Sequence, residues 1–352
     1  MDRLSGYGSF PWLLAGSVMR FPGLPEGDAG VGVGISGRVS LTRPLTSNGL
    51  VYLGHMSTST HAPFSEQRAR ALALEAAAQV GGYEMVMELI RMGEHAMFRL
   101  PGGVVARVAR GPGWAETAAR EIRVARLLER HGVPCGRPAA PGEPVTIDGH
   151  PVTFWEELDT SRRATFAEIG EVLRDLHAVP VADLDLPVLD AFHRVGDRIA
   201  GAPISEGDRA DLQGVLEELE GAWAALTAVS PMRLIHGDPH SGNVAHSAGH
   251  AVLIDLETVC LGPAEWDLAL PGTYFASLGW LGKADYEGFV RAYGGRDVTV
   301  SPHFQVLRRI RELRMTSWLI QHAGESEELA AQARHRVACL VDDRVPRVWS
   351  RR

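Results

Sequence analysis

Lysine is almost missing from this chain: Lys283 is the only one, and the other 34 of its 35 basic residues are arginine. Any chemistry that ordinarily asks for a lysine elsewhere must be done by a guanidinium, which stays protonated and offers a planar fork of donors. Cysteine is scarce as well. Cys135, Cys260 and Cys339 are odd in number, far apart and without a CxxC pair, which argues against a zinc ribbon or redox pair and fits a reducing, cytoplasmic setting. No run approaches the roughly 18 apolar residues of a membrane span. The early stretch from Phe10 to Met19 is broken by Pro11 and Gly16 and follows Asp2 rather than a basic cluster, so neither a membrane partner nor a secretory leader is expected. Positive charge is not in excess: 43 acids against 35 bases leave a net charge of −8, so the basic footprint of a nucleic-acid-binding protein is absent.

What is present is ordinary for a folded protein: 352 residues, 45% hydrophobic and 22% charged, enough for about two domains. The first 55 residues stand apart, with 11 glycines and four prolines and no sustained period of 2 or 3.6, and are expected to be a poorly ordered extension. They contain GVGISG (Gly32, Gly34, Gly37), which spells a dinucleotide fingerprint, but RVSLTRPL follows it where a helix should begin. Met56 begins MSTSTHAPFSEQ, a plausible start for a protein, so residues 1–55 are expected to be dispensable.

Beyond Ser65, a helix N-cap candidate, Glu66–Val80 is rich in alanine and leucine and reads as a helix. Met85–Arg91, Ala96–Leu100 and Val104–Arg110 read as antiparallel strands, the last two joined by the turn Pro101 to Gly103. Ala115–His131 is helical and closes on Gly132 and Pro134. A hairpin follows, PVTID and PVTFWEEL around Gly149-His150. After Leu158 the texture turns helical over Thr165–Ala178, Val188–Ala200, Glu206–Thr227, Ala284–Tyr293, Pro302–His322 and Glu325–Val345, interrupted by β pieces at Met232–His236 and Ala251–Asp255. The expected architecture is α+β: an N-lobe over 56–158, built of a small antiparallel sheet with one main helix, and a larger, mostly helical C-lobe over 159–352.

The densest cluster of chemically capable residues is LIHGDPHSGNV, Leu234 to Val244, followed by AVLIDLETVCLGPAEWDLAL. An acid, an asparagine five residues on and a second acid after a hairpin suit metal-assisted phosphoryl transfer, in which one carboxylate orients the attacking hydroxyl while an amide oxygen and another carboxylate hold Mg²⁺. Asp238, Asn243 and Asp255 would fill those places. A transition-metal reading of the same stretch, through His236, Asp238, His240 and His250, is the competing one.

In HGDPHSGN, IDLE and GPAEWDLA the chain resembles the aminoglycoside phosphotransferase and choline kinase-like family, relatives of protein kinases, over roughly residues 66–330. The resemblance implies a protein-kinase-like, two-lobed fold and transfer of the γ-phosphoryl of ATP to a small-molecule hydroxyl acceptor. It makes Asp238 the catalytic base, Asn243 and Asp255 the Mg²⁺ ligands, and Asp267 and His236 architectural residues of the loop. Where such kinases carry a phosphate-contacting lysine on the third strand, this chain has VVARVAR, so Arg107 is the candidate, with Glu121 of the next helix as its partner. MGEHA, Met92 to Ala96, takes the place of the glycine-rich lid. FWEEL, 154–158, would be the hinge, with adenine bonded to backbone groups near Glu156, Glu157 and Leu158. The alternatives are a nucleotide-binding pseudoenzyme of the same fold, and a dinucleotide-dependent enzyme built on GVGISG.

Cys260 reads as a small buried hydrophobe, and Tyr274, Trp280 and Trp318 as core with one or two lining the acceptor pocket. A cationic, amine-bearing acceptor would find Glu287, Asp297, Glu312 and Glu325 in the helical lobe; a sugar or other metabolite is equally compatible. A chain beginning at Met56 is expected to fold and turn over like the full-length one; loss of its unfolding transition or of its ATP-dependent activity would refute the dispensability of residues 1–55.

Overall fold

The computed structural model describes residues 64–83, 86–93, 95–159, 162–181 and 184–351. The extension over 1–55, its GVGISG, Met56, Met85 and the middle of MGEHA lie outside them. Helix α1 (Glu66–Val80) begins where Ser65 accepts the Arg68 N–H at 3.2 Å and ends at Gly81, whose φ of 73° few other residues adopt. Its buried face, Ala69, Leu72, Ala73, Ala76 and Ala77, packs on a five-stranded antiparallel sheet of order β1-β2-β3-β5-β4. The strands are β1 (Glu88–Met92), β2 (His95–Leu100), β3 (Val104–Ala109), β4 (Val145–Ile147) and β5 (His150–Glu156).

The period of two decides which side chains meet α1. Ala96, Phe98 and Leu100 of β2, Ala106 and Val108 of β3, and Val152 and Phe154 of β5 form one core with the helix. Each buried phenylalanine contributes about 1.5–3 kcal/mol. The intervening residues look the other way: Arg107 and Thr153, opposite one another in the β3–β5 register, lie on the face where α2 (Ala115–Arg130) crosses. Helix α2 places Val124, Ala125 and Leu128 in a second, larger core, so it is anchored to the helical part while Glu121 reaches back to the sheet.

That larger core belongs to α3 (Phe166–His177), α4 (Val195–Gly201), α5 (Glu206–Thr227), α6 (Glu265–Ala276), α7 (Lys283–Tyr293), α8 (Phe304–Ile320) and α9 (Glu327–Val341). Two small sheets are set among them: β6 (Met232–Ile235) with β9 (Cys260–Pro263), and β7 (Val244–Ser247) with β8 (His250–Leu253). The fold is the expected α+β, with differences in detail. Of Val188–Ala200 only the end is helical. Leu189 instead donates its N–H to Leu261 at 2.8 Å, the Asp190 carboxylate captures the Phe192 N–H at 3.0 Å, and Arg194 sits at a φ of 59°, a local hydrogen-bonding alternative that outcompetes the helix.

Strand β9 and helix α6 were hidden in the sequence for a common reason. Helix α6 is buried on every side from Glu265 to Thr273, so it shows no apolar stripe, and Pro271 within it reads as a breaker. Helices α3 and α7 approach closely at Gly170, where an added Cβ would stand 2.6 Å from the Phe289 carbonyl oxygen. Because that neighbour is backbone, Gly170→Ala must push the helices apart, and a loss of about 1–3 kcal/mol is expected, measured by denaturant unfolding.

Candidate active site

The loop that carries Asp238 leaves β6, whose partner β9 runs into α6, so the start of α6 lies beneath it. Asp267, fully buried, accepts the His236 N–H at 2.7 Å and the Gly237 N–H at 2.9 Å, one on each carboxylate oxygen, and lies 3.0 Å from His177 Nε2. The neighbouring Trp266 donates its indole N–H to the Gly237 carbonyl at 2.7 Å. Gly237 itself has a φ of 89°, and a Cβ there would stand 2.6 Å from the Thr258 carbonyl oxygen, so only glycine fits. The expectation that Asp267 and His236 are architectural agrees with this geometry: His236 is buried and its Nε2 lies 3.0 Å from the Ile254 carbonyl.

Asp238 projects from the braced loop with its carboxylate partly exposed, 3.7 Å from Arg311 Nη1 and 3.9 Å from His240 Nε2. Burial pushes its carboxyl up, but His240, Arg311 and Arg314 outweigh that and hold it below its ordinary value. Arg311 is itself buried over the Trp266 ring, 3.9 Å from its centre, with Nη2 donating to the Trp266 carbonyl at 2.8 Å. Burial lowers its pKa to about 10 against the opposing pull of Asp238, so it remains a cation at neutral pH. Nothing in the sequence marked Arg311, which lies on an unremarkable arginine-rich helix far along the chain.

Asn243 is brought beside Asp255 by the hairpin. Its carbonyl accepts the Ile254 N–H at 3.0 Å, one residue before Asp255, and its side-chain amide donates to the Asp238 carbonyl at 3.1 Å. With the NH₂ group so engaged, the amide oxygen is the atom left to offer. Asp255 adopts a φ of 61°, and burial, reinforced by the neighbouring Glu257, raises its pKa. An amide oxygen and a carboxylate lacking enough local positive charge are a donor set that suits a hard divalent cation such as Mg²⁺. The transition-metal alternative fares worse. His236 Nε2 is spent on a backbone carbonyl, His240 Nδ1 accepts the Gly242 N–H at 2.9 Å, His250 is exposed, and among the described residues no three His, Cys, Asp or Glu side chains could hold a metal. Cys260 is buried with its thiol pushed up to about 12 by burial and Asp267, which makes it no nucleophile.

Arg107 and Glu121 meet as expected: Arg107 Nη1 lies 2.7 Å from both carboxylate oxygens of Glu121. A third partner was missed. Arg107 Nη2 donates to Glu257 at 2.7 Å and stands 4.0 Å from Asp255. The spacing of IDLE, with Glu257 two residues after Asp255, was the available signal. Burial would lower the Arg107 pKa, but Glu121, Glu257 and Asp255 outweigh it and raise it. The cavity beside this cluster, lined by His95, Trp114 and Thr153 among others, has a volume of about 10 Å³, room for no more than about one water.

At the segment expected to be the hinge, the Glu156 N–H is given to the Arg137 carbonyl at 2.8 Å and the Glu157 N–H to the Gly103 carbonyl at 2.7 Å. Glu157 is further held by Arg99 Nε at 2.5 Å. Both donors are spent within the protein, so base recognition there would fall to carbonyls or to Leu158.

The model of the phosphotransferase enzyme family matches residues 95–313, a span holding Arg107, Glu121, Asp238, Asn243, Asp255, Glu257, Asp267 and Arg311. No curated protein matches the chain. Among solved structures, an amicoumacin kinase in complex with AMP-PNP and Ca²⁺ superposes with a TM-score of 0.63 at 14% identity, covering 82% of this chain and 96% of its own. A choline/ethanolamine kinase family protein from Mesorhizobium loti gives 0.53 at 20% identity, covering 78% and 92%. A choline kinase from Streptococcus pneumoniae gives 0.53 at 16% identity, covering 76% and 96%. These likenesses show a kinase-like fold.

Asp267 offers a test of the brace. His177 and the His236 N–H stabilise its charged form against burial and hold its pKa below the ordinary 3.8. A carboxyl depressed on folding adds stability that is complete above its unfolded pKa and is lost as pH falls through the folded value. The wild type is therefore expected to lose stability more steeply below about pH 4 than Asp267→Asn, which cannot titrate; parallel acid-unfolding curves would contradict this.

Proposed function

We propose, for a chain that belongs to the phosphotransferase enzyme family, that it is an ATP-dependent small-molecule kinase with Asp238 as the base. The observation that carries this reading is the placement of Asp238, 3.7 Å from Arg311, on a loop braced by Asp267 and beside Asn243 and Asp255. In the transfer, the acceptor hydroxyl gives its proton to the Asp238 carboxylate as its oxygen bonds to the γ-phosphorus. The bond between that phosphorus and the bridging oxygen of ADP breaks, and the leaving charge goes to ADP. Arg311, paired with Asp238 on the side of α8, keeps the carboxylate anionic and aimed. Arg107 is held by Glu121 and Glu257 with its guanidinium lining the small cavity beside them, a cation fit for phosphate oxygens.

Asn243 and Asp255 would hold Mg²⁺, which when bound offsets charge on the nucleotide phosphates. The neighbour in complex with AMP-PNP and Ca²⁺ supports a nucleoside triphosphate and a divalent cation. No described helix is long and apolar enough to cross a membrane, and the three cysteines are buried and free, which supports placing the enzyme in the cytoplasm. Asp238→Ala is expected to lower acceptor-dependent ADP release about 10²–10⁴-fold while Mg-ATP binding survives. Turnover near the wild-type rate in that variant would remove Asp238 from its role.

A further inference from the structure

We propose that Glu257 is a placeholder for the nucleotide phosphates on Arg107 and thereby makes nucleotide binding depend on a divalent cation; this rests on the kinase reading and adds a control to the same site. Arg107 is shared between unequal partners. Its Nη1 lies 2.7 Å from both carboxylate oxygens of Glu121, and its Nη2 donates to Glu257 at 2.7 Å. Glu121 is fixed in the middle of α2 with 5% of its side chain in solvent. Glu257 keeps 18% of its side chain in solvent and sits on the single 3₁₀ turn Leu256–Thr258. Its backbone is held, the carbonyl accepting Arg120 Nη2 at 3.3 Å, so rotation about its side-chain bonds releases Arg107 without moving the chain.

Space and charge both make Glu257 the partner that must yield. The cavity lined by His95, Arg107 and Glu257 has a volume of about 10 Å³, room for about one water, so a phosphate group does not enter it while Glu257 stays. With 14% of the Arg107 side chain in solvent, little of the guanidinium is open from any other side. Arg107 also stands 4.0 Å from Asp255, so one guanidinium faces three carboxylates and negative charge is in excess around it. Such an excess repels phosphate oxygens, and in a mostly buried cluster water and salt screen it little. His95 adds to the hold on Glu257: its Nε2 lies 3.4 Å from the carboxylate, and its ring stands edge-on to Trp114 with centres 4.7 Å apart. The form in which Glu257 has let go is the one competent to bind, and apparent affinity falls in proportion to how rarely that form is visited. A divalent cation on Asn243 and Asp255 offsets the negative excess, so ATP binds well only together with the metal. Removing the Glu257 charge does part of the same and opens Arg107.

Isothermal titration calorimetry of the full chain with ATP, in EDTA and in excess MgCl₂, tests this. The wild type is expected to bind ATP at least about thirtyfold more weakly in EDTA. Glu257→Gln, close in shape but uncharged, should gain at least about tenfold in EDTA and clearly less with Mg²⁺, closing the gap between the two media. Glu257→Asp, which keeps the charge on a side chain one methylene shorter, should gain in EDTA by a smaller factor. Each variant is checked for a wild-type unfolding midpoint, and the wild-type comparison stands without either. Equal ATP affinity of the wild type in the two media, a Glu257→Gln affinity in EDTA no higher than that of the wild type, or equal gains in both media would overturn the proposal, since a merely structural role for Glu257 moves both affinities together. Failure of the wild type to bind ATP in either medium, or ADP release that survives Asp238→Ala, would instead overturn the kinase reading.

Discussion

The buried Asp267 carboxylate is the constraint on which the site depends. An ion taken out of water is tolerated only when its lone pairs are occupied, and here two backbone N–H groups and the His177 ring occupy them. The requirement runs in both directions. A chain turning through Gly237 would leave its N–H groups unpaired in the core, so the carboxylate and the turn each satisfy what the other needs. Because Asp267 stands at the start of α6 and the turn at the end of β6, this exchange fixes where the β6–β9 pair stops and where Asp238 emerges.

Arg107 solves a related problem differently. It is set by strand alternation on the face of β3 where α2 crosses and is surrounded by three carboxylates drawn from α2 and the segment after β8. A guanidinium can serve two of them at once through separate nitrogens, as it does with Glu121 and Glu257, where an ammonium would act as a point charge. The sheet and the helical part are thereby joined by charge as well as by the apolar residues of α2.

Local chemistry was legible and distant chemistry was not. Asp238, Asn243 and Asp255 lie within eighteen residues of one another, so an acid, an asparagine and a second acid could be read together as a candidate set before any coordinates. Arg107 and Glu121 were found because a strand and the next helix limit the candidates. Arg311 and His177 could not be found this way: each reaches the site through tertiary packing, from a helix whose own pattern reports only burial. Helix α6 was missed although its first residues had been singled out, since a helix surrounded by protein carries no period. The departure from a helix at 188–194 arises where backbone and side-chain groups choose local partners instead, a choice that propensity does not record.

The near-absence of lysine also bears on how such a protein can be seen by chemistry. Apart from the chain's amino terminus, Lys283 carries the only primary amine, and it stands exposed at the first turn of α7 with 79% of its side chain in solvent. Guanidiniums are protonated at every working pH and poor nucleophiles, so reagents that acylate a cleft amine have nothing to acylate around Arg107. The same scarcity leaves one amine side chain, exposed on α7, at which the protein could be tagged singly.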